Sequence, residues 1–356
     1  MHLANRMETQ ENNSLEALKV LNLRRIWFPT LCGLAILGFW FYRAGNKLTL
    51  ATIAQLGRPN GYYLSMAFLS ILLREIGHIC RLRFLSNATL SWTSCFYIAI
   101  LWEFSSALTP SVVGGGIAAI FLFSKEGLPL GRSLAYVIVN GIMDNFFFLL
   151  AGMPAFGGLY KPLFAMADEF DTVVKSIFFI NYFILCIYTL VITMGVFINP
   201  ALLKYILLRI TSIGFLKKWR RSAYHISKDI VITSHEFKGK GSFFWCKILS
   251  CTFFTWMARY SFLNCLIAAY SKVSLSQHIA MFGKQVIMWA LMLIPFLPGG
   301  SGIAEYSFIQ FFEPILGDYT PLIALLWRAC TFFLYLLLGI IFLPRWIHRV
   351  LEKNAQ

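Results

Sequence analysis

The chain alternates long apolar segments with short polar connections from residue 26 almost to its C-terminus. The apolar segments span residues 26–42, 62–80, 93–108, 133–150, 173–198, 242–270, 279–297 and 321–343. Crossing the hydrocarbon core of a bilayer takes about 20 apolar residues in a helix, and several of these segments approach that length. The pattern predicts an all-α polytopic membrane protein with about 7–9 transmembrane or re-entrant helices.

Two stretches rich in proline and glycine interrupt this pattern and resemble each other. The first contains Thr109, Pro110, Gly114, Gly115 and Gly116, and the second contains Pro298, Gly299, Gly300 and Gly302. Each continues through Gly-Ile-Ala to a further glycine, Gly127 or Gly317, and then to an apolar segment carrying Asp144 or Arg328. We interpret this as an internal repeat, with one copy at 93–150 and the other at 285–343.

The backbone of these two stretches is expected to be irregular at membrane depth, because Pro lacks a donor N–H and Gly is entropically costly in a helix. Such backbone is tolerated only beside protein or a water-filled cavity. Corresponding breaks in two halves of a chain are typical of a transporter binding site. We therefore expect 117–123 to form a short half-helix, and free N–H groups at Ile117 and Ile303 to favour an anion such as a lipid phosphate.

Four ionisable residues accompany the breaks, namely Glu103, Asp144, Glu305 and Arg328. Charges inside a membrane are costly and usually face the bundle interior, where they mark a pathway or form a pair. We predict that these four, with the Pro and Gly positions above, form a substrate-binding site or pathway. Arg328 is expected to contact Glu305, Asp144 or a lipid phosphate. The alternative is that the charges only lock helices together as buried pairs.

Further cations lie within apolar segments, among them Arg74, Lys247 and Arg259. They fit the pattern of snorkelling side chains or structural pairs. Arg74 and its neighbour Glu75 point about 100° apart on a helix, so the sequence does not place them face to face.

Composition and charge agree with a membrane protein. Of 356 residues, 58% are apolar and 13% are charged, whereas soluble domains carry about 25% charged residues. The net charge of +15 does not indicate nucleic-acid binding, because no nucleic-acid-binding module accompanies it. The basic residues concentrate in connections instead, and 199–241 has nine Lys and Arg against two acidic residues, as expected of a cytoplasmic loop.

Charge also sets the expected topology and domain limits. Residues 1–25 are expected to be a cytoplasmic segment, 26–345 a transmembrane domain with the basic loop 199–241, and 346–356 a cytoplasmic tail. The expected location is a bacterial-type inner (plasma) membrane, with both termini cytoplasmic and no removed signal peptide. These charges direct the Asp144 helix outward and the Arg328 helix inward, so the repeats are expected to be inverted about an in-plane axis.

No metal or cofactor is predicted. The eight cysteines lie almost entirely in apolar segments and form no Cys-x-x-Cys, and the six histidines form no His-x-x-x-His pair. They are typical of small buried residues rather than metal ligands. The sequence also contains no Asp-x-Asp and no phosphate loop followed by Lys, so catalysis is not the leading interpretation.

The motif residues resemble the flippase-like transmembrane region of lysylphosphatidylglycerol synthases. The resemblance rests on Glu103, Pro110 and 114–116, and on Pro-Gly-Gly-Ser-Gly-Ile-Ala-Glu at 298–305 with Arg328. It covers residues 26–345 and implies a module that moves a phospholipid, including an aminoacylated one, or a lipid-linked sugar across the membrane. Anionic or lipid-linked membrane lipids are the implied partners. The family's soluble synthase domain is not found here, so synthase activity is not implied, and a separate soluble transferase would have to supply it.

The leading interpretation is therefore a lipid flippase or transporter that performs no chemistry. One alternative is an enzyme of lipid or polyprenyl-glycan modification in which Glu103 or Glu305 acts as acid or base. The other is a non-catalytic accessory subunit whose partner supplies the activity.

Overall fold

The computed structural model describes residues 58–109, 112–155, 168–212, 214, 220–293 and 302–355. The predicted first helix at 26–42 lies outside these residues, as do Pro110, Pro298, Gly299 and Gly300. The described helices are α1 (Gly61–Leu85), α2 (Trp92–Leu108), α3 (Val112–Lys125), α4 (Leu130–Gly152), α5 (Asp168–Thr193), α6 (Pro200–Ile210), α7 (Arg220–Lys238), α8 (Ser242–Tyr270), α9 (Leu275–Met292), α10 (Ile303–Leu316), α11 (Thr320–Arg328) and α12 (Leu334–Ala355). The predicted all-α class is confirmed.

Polar residues fix where several of these helices begin. Asn60 precedes α1 and accepts a hydrogen bond from the backbone N–H of Tyr62, and Ser91 does the same for Ser94 at the start of α2. Ser274 and Gln277 form a reciprocal capping box before α9. Each cap satisfies N–H groups that have no partner within the first turn of a helix.

Several helices are long and apolar enough to cross a membrane. These are Gly61–Leu85, Leu130–Gly152, Val174–Ile198 and the helical stretch Ile303–Lys353, whose chain reverses direction at Gly317. Large apolar side chains of α1 and α5 point outward, including Phe68, Ile76, Phe183 and Leu190. Outward apolar side chains on such helices are the surface that a polytopic protein presents to lipid, so the protein is a multi-pass membrane protein.

Helices α1 and α8 pack as an antiparallel pair. The backbone N–H of Asn60 donates to the carbonyl of Ala269 over 2.8 Å, so the start of α1 lies beside the end of α8. Midway along, Gly77 lies against Thr255. We call the end where α1 finishes and α8 begins the basic end, because Arg83, Lys125, Arg132, Lys238, Lys247 and Arg349 lie there, and the other the opposite end.

The buried side chains form two apolar cores, one towards each end. The core at the basic end contains Leu82 of α1, Phe104 of α2, Val139 of α4, Ile248 of α8 and Leu343 of α12. The core at the opposite end contains Ala67 of α1, Phe148 of α4, Leu263 of α8, Phe308 of α10 and Ile323 of α11. Helix α4 therefore runs from the basic end to the opposite end, whereas the α11–α12 run goes the other way. These opposite directions agree with the predicted directions of the Asp144 and Arg328 helices.

The first Pro-Gly stretch joins α2 and α3 into a helical hairpin that enters and leaves at the basic end. Ser94, at the start of α2, donates to Glu126, just after α3, over 2.7 Å. Gly115 lies so close to Ser106 that a Cβ there would be 2.1 Å from its hydroxyl oxygen. With 14 residues, α3 is about 21 Å long, which is shorter than a hydrocarbon core of about 30 Å.

This hairpin corrects the expected start of the half-helix. Residues 117–123 were predicted to form it, but α3 already begins at Val112 and includes the three glycines. Glycine disfavours a helix by roughly 1 kcal/mol per residue. Here close packing against α2 requires residues without side chains at Gly114 and Gly115, and that tertiary contact outweighs the propensity.

The second Pro-Gly stretch follows α9 and leads into α10, which has the same length as α3, 14 residues. Lys284 of α9 donates to the carbonyl of Phe311 in α10 over 2.6 Å. Helix α10 then ends at Gly317, and α11 runs back along it, with Phe308 stacked on Trp327 at 5.2 Å between ring centroids. Since α9 starts at the opposite end, where α8 has just finished, this hairpin enters from the opposite end.

The connection 199–241 and the C-terminal tail both contain helix. The predicted basic loop 199–241 contains α6 and α7, and the predicted tail 346–356 continues α12 as far as Ala355. The reason is packing at the basic end. Phe237 of α7 and Trp346 of α12 are both buried in the core there, and burial of an apolar face stabilises a helix whose sequence is otherwise rich in charge.

Candidate functional site

The intramembrane charges lie between the two apolar cores. In α1 the charged residues at 74–81 follow Ala67 of the opposite-end core and precede Leu82 of the basic-end core. In α4, Asp144 likewise separates Met143 from Phe147. These charges therefore occupy the middle of the bundle, where water is least available to solvate them.

Glu103 of α2 binds two arginines from two other helices. Its Oε1 is paired with Arg74 of α1, and its Oε2 accepts a hydrogen bond from Arg259 of α8 over 3.3 Å. The Arg74 side chain is buried, but that of Arg259 is 31% exposed. Arg74 thus holds Glu103 inside the bundle, and Arg259 is the more exposed of the two arginines.

Tyr335 of α12 connects Arg74 to its neighbour Glu75. Arg74 donates to the Tyr335 hydroxyl, which in turn donates to Oε1 of Glu75. Arg74 Nη1 also lies 3.5 Å from the same carboxylate oxygen. The expectation that the two neighbours do not face each other was therefore wrong. Both side chains are long, and both reach the same hydroxyl between α1 and α12.

Asp144 of α4 is paired with Arg81 of α1. The same oxygen, Oδ1, accepts a hydrogen bond from the Trp256 indole of α8 over 2.7 Å. The guanidinium of Arg259 lies over the ring of Trp256, 4.9 Å from its centroid. Trp256 and Arg259 therefore join the Asp144 pair to the Glu103 pair. Together these residues form one network across five helices, which we call the charge network: Arg74, Glu75, Arg81, Glu103, Asp144, Trp256, Arg259 and Tyr335.

His78 lies on α1 between Arg74 and Arg81. It is 6% exposed, and its ring packs against Trp102 with 5.7 Å between ring centroids. Arg74, His78 and Arg81 follow the spacing of one helical face. This spacing in the sequence could have indicated the site. Interpreting Arg74 as a snorkelling or structural cation overlooked it.

Glu305 and Arg328 form a separate buried pair at the start of α10. Arg328 donates from Nε to Oε1 of Glu305 over 2.6 Å, and both side chains are buried. Of the partners predicted for Arg328, the structure selects Glu305 and places Asp144 with Arg81. Arg328 precedes Tyr335 by seven residues in the α11–α12 run, so the pair lies about 10 Å from the charge network along the helix.

Glu305 also caps the half-helix on which it lies. Its Oε2 accepts a hydrogen bond from the backbone N–H of Gly302 over 2.6 Å. Gly302 has φ +89°, a conformation that side chains other than hydrogen disfavour. The N-terminus expected to attract a lipid phosphate at Ile303 is thus occupied by a carboxylate of the protein. The corresponding expectation for Ile117 was wrong, because Ile117 lies in the second turn of α3.

A π-helical turn, Ala329–Phe333, directly follows Arg328. Such turns insert one extra residue into an α-helix and are frequent at functional sites. Here the turn lies between Arg328 and Tyr335, the two residues by which this helix reaches the buried pair and the charge network.

Glu126 is a buried carboxylate that the sequence did not single out. It lies just after α3 and accepts hydrogen bonds from Ser94, Trp346 and Arg349. Its position between Lys125 and Gly127 looks like an ordinary turn. The structure instead uses it to fasten the α2–α3 hairpin to the C-terminal helix α12.

The predicted site residues thus separate into three groups. Glu103 and Asp144 belong to the charge network, whereas Glu305 and Arg328 form the buried pair, to which Gly302 is hydrogen-bonded. Thr109, Gly114, Gly115 and Gly116 shape the α2–α3 hairpin, with the side chain of Thr109 next to Gly114. The remaining predicted positions 110 and 298–300 lie outside the described residues. Among the described residues, no group of three or more His, Cys, Asp or Glu side chains is arranged to hold a metal ion.

These features define a class of protein: a polytopic helical membrane protein with two re-entrant hairpins and a network of charges between two apolar cores. The sequence model of the family described as the lysylphosphatidylglycerol synthase TM region matches residues 26–339. The protein therefore belongs to this family. A UPF0104 membrane protein of Archaeoglobus fulgidus is 22% identical over 326 residues, which are 87% of this chain and 94% of that relative.

Proposed function

We propose that the protein moves a phospholipid, or a lipid-linked sugar, across the membrane, and that the charge network is where the headgroup passes. The position of this network between the two cores is the observation that supports the proposal. Buried charges are retained in membrane helices mainly where they serve a pathway or a pair. Two hairpins that enter from opposite ends are also the arrangement found in transporters whose site lies near the midplane.

The charges of the network suit a headgroup that bears both signs. Its described residues include three arginines and three carboxylates, Arg74, Arg81, Arg259, Glu75, Glu103 and Asp144. A phosphate would compete with Glu103 for Arg259, because that contact is the longer one and Arg259 is partly exposed. Glu103 would then keep Arg74 and have one oxygen free for an ammonium group. An aminoacylated phospholipid offers both groups, which agrees with the family's description.

Transport of purified protein in liposomes would test this proposal. Headgroup-labelled phosphatidylglycerol, its lysyl ester and phosphatidylcholine would be compared for the rate at which label leaves one leaflet. We expect the lysyl ester to move fastest, and the variant Arg259→Gln to lose most of this rate. Equal rates with and without protein for each lipid would contradict the proposal.

The orientation of the protein is part of the proposal. We place the basic end in the cytoplasm, because Lys and Arg are enriched in cytoplasmic connections, and the membrane is expected to be a bacterial-type plasma membrane. Separate lipid analysis of the two leaflets in a deletion strain would then show the cargo accumulating on the side from which it is moved. If the cargo were instead absent from both leaflets, the alternative role in lipid or polyprenyl-glycan modification would be favoured.

A further inference from the structure

Helices α6 and α7 form a surface layer on the basic end of the bundle. Arg132 of α4 and Glu236 of α7 form an ion pair at 2.6 Å. Lys238 donates to the carbonyl of Ile198, at the end of the π-helical turn that follows α5, over 2.9 Å. Phe237 packs on Tyr136 with 5.8 Å between ring centroids. Helix α7 is therefore anchored to the ends of α4 and α5, at the level of the membrane surface.

Helix α7 turns a basic face outward. Its buried residues include Ala223, Ser227, Ser234 and Phe237. Its exposed residues include Arg220, Arg221, Tyr224, Lys228 and His235. An amphipathic helix with cations on its polar face is typical of the interface between water and anionic lipid.

A cavity of about 350 Å³ opens between α6 and α7, lined by Lys204, Lys228, Val231 and Ile232. Tyr224 lies at its rim and contacts both lysines. The Lys204 ammonium lies 5.3 Å, and that of Lys228 4.9 Å, from the centroid of the Tyr224 ring. Tyr224, Lys228, Val231 and Ile232 share one face of α7, since they follow the i, i+4, i+7, i+8 spacing.

Two ammonium groups held on one aromatic ring favour an anion between them. Glu236, one of the acidic residues of α7, pairs with Arg132. The cavity combines this positive rim with the apolar side chains of Val231 and Ile232, of which Ile232 is exposed. A soluble anion would leave Val231 and Ile232 without an apolar partner, whereas the first methylene groups of a phospholipid would pack against them.

We propose that this cavity binds the phosphate of an anionic phospholipid headgroup at the membrane surface. Lys204 and Lys228 hold the phosphate, Tyr224 positions the two lysines through cation–π contacts, and the acyl chains lie on Val231 and Ile232. The site is separate from the charge network. It therefore does not depend on the function proposed above.

Binding to the full-length protein in detergent would be measured by native mass spectrometry, with phosphatidylglycerol as probe. We expect Lys204→Gln with Lys228→Gln to weaken binding roughly tenfold or more, because each cation near an anionic headgroup contributes about 1 kcal/mol. Tyr224→Phe should keep the affinity and Tyr224→Leu should reduce it. Lys272→Gln, an exposed lysine at the opposite end, is the matched control and should not change it.

Three further comparisons make the result decisive. Phosphatidylcholine should bind at least several-fold more weakly than phosphatidylglycerol, and glycerol 3-phosphate should not compete at equal concentration. The double lysine substitution should weaken phosphatidylglycerol binding by the same factor with and without Arg259→Gln, which separates this site from the charge network. Unchanged affinity in the double lysine variant would overturn the proposal. Full competition by glycerol 3-phosphate would also overturn it and would indicate a site for free phosphate esters.

Discussion

Glu305 receives two donors at once, the backbone N–H of Gly302 at 2.6 Å and the Nε of Arg328 at 2.6 Å. One carboxylate therefore both caps the half-helix α10 and ties it to the helix that crosses the bundle beside it. A charge this deeply buried is tolerable only while both partners are present. The two contacts therefore fix the start of α10 against the α11–α12 run.

We expect removal of either partner of this pair to be strongly destabilising. Glu305→Met or Arg328→Met alone should lower the free energy of unfolding by roughly 3–5 kcal/mol, because the remaining charge is buried without its partner. Thermal unfolding in detergent, followed by size-exclusion chromatography, would measure the loss.

The double variant Glu305→Met with Arg328→Met separates a structural from a functional role. Replacing both charges by apolar side chains of similar size is often nearly neutral in stability. We expect the double variant to recover most of the stability but not the lipid transport. If transport returned with stability, the pair would serve only to lock the helices.

The two arginines bound to Glu103 should respond differently to substitution. Arg74 is buried and also binds Tyr335, so Arg74→Gln should cost roughly 3–5 kcal/mol and lower the amount of folded protein. Arg259 is partly exposed, and the loss of stability in Arg259→Gln should be near 1 kcal/mol. Folded Arg259→Gln should nevertheless show little transport.

Arg259→Lys is the control for this comparison, because it keeps the charge but not the planar guanidinium. An intermediate transport rate would indicate that charge and geometry both matter. Normal transport by Arg259→Gln, at normal protein levels, would remove Arg259 from the proposed headgroup path.

The sequence predicted those features of the fold that depend on residues close together in the chain. The half-helix beginning at Ile303 and Glu305 as one of the candidate partners of Arg328 follow from features close together in the sequence, where helix start and stop signals act. The repeat was visible because each break is followed at a similar distance by a glycine. The structure gives both glycines positive φ, +102° at Gly127 and +56° at Gly317.

What the sequence did not predict depends on contacts between distant segments. Glu103 and Arg259 are 156 residues apart, and no local pattern indicates that α2 and α8 meet. The start of α3 was missed because its glycines were interpreted from helix propensity alone. Their packing against Ser106 and Thr109 is a tertiary contact, which routinely overrides propensity.

Close packing of the α2–α3 hairpin predicts the effect of adding one methyl group. Gly115→Ala should be destabilising, because its Cβ would lie 2.1 Å from Ser106 Oγ and 3.0 Å from Ser106 Cβ. Adding Ser106→Gly should restore part of the stability. Gly141→Ala in α4 is the control, since a Cβ there meets nothing within 4 Å. It should be neutral or stabilising by up to about 1 kcal/mol. Equal midpoints of thermal unfolding for the two alanine variants would contradict the packing.

Glu126 is expected to hold the α2–α3 hairpin against α12. Glu126→Ala removes the acceptor for Ser94, Trp346 and Arg349, and should cost roughly 3 kcal/mol or more, because buried donors lose their partner. Glu352→Ala, an exposed carboxylate on the same helix, should change little. Hydrogen exchange should show faster exchange of the α3 amides in Glu126→Ala, and protection equal to that of the unmodified protein would exclude the fastening role.

The two hairpins should be accessible from opposite sides of the membrane. The α2–α3 hairpin leaves at the end where Glu126 meets Arg349 of the C-terminal helix. The α9–α10 hairpin finishes at Gly317, beside the start of α11. Matching elements that enter from opposite sides are what an inverted repeat requires. Superposing 93–150 on 285–343 should accordingly need a rotation near 180° about an axis in the membrane plane.

Single cysteines introduced into a chain whose native cysteines are replaced by serine would test this in intact cells. Leu130→Cys lies just beyond the first hairpin and Asp318→Cys just beyond the second. Because the basic end is placed in the cytoplasm, a membrane-impermeant maleimide should label Asp318→Cys from outside and Leu130→Cys only after permeabilisation. Lys272→Cys, at the same end as Asp318, should follow Asp318→Cys. Labelling of both hairpin positions from one side would rule out the inverted arrangement, and labelling with the sides exchanged would keep the repeat but reverse the orientation.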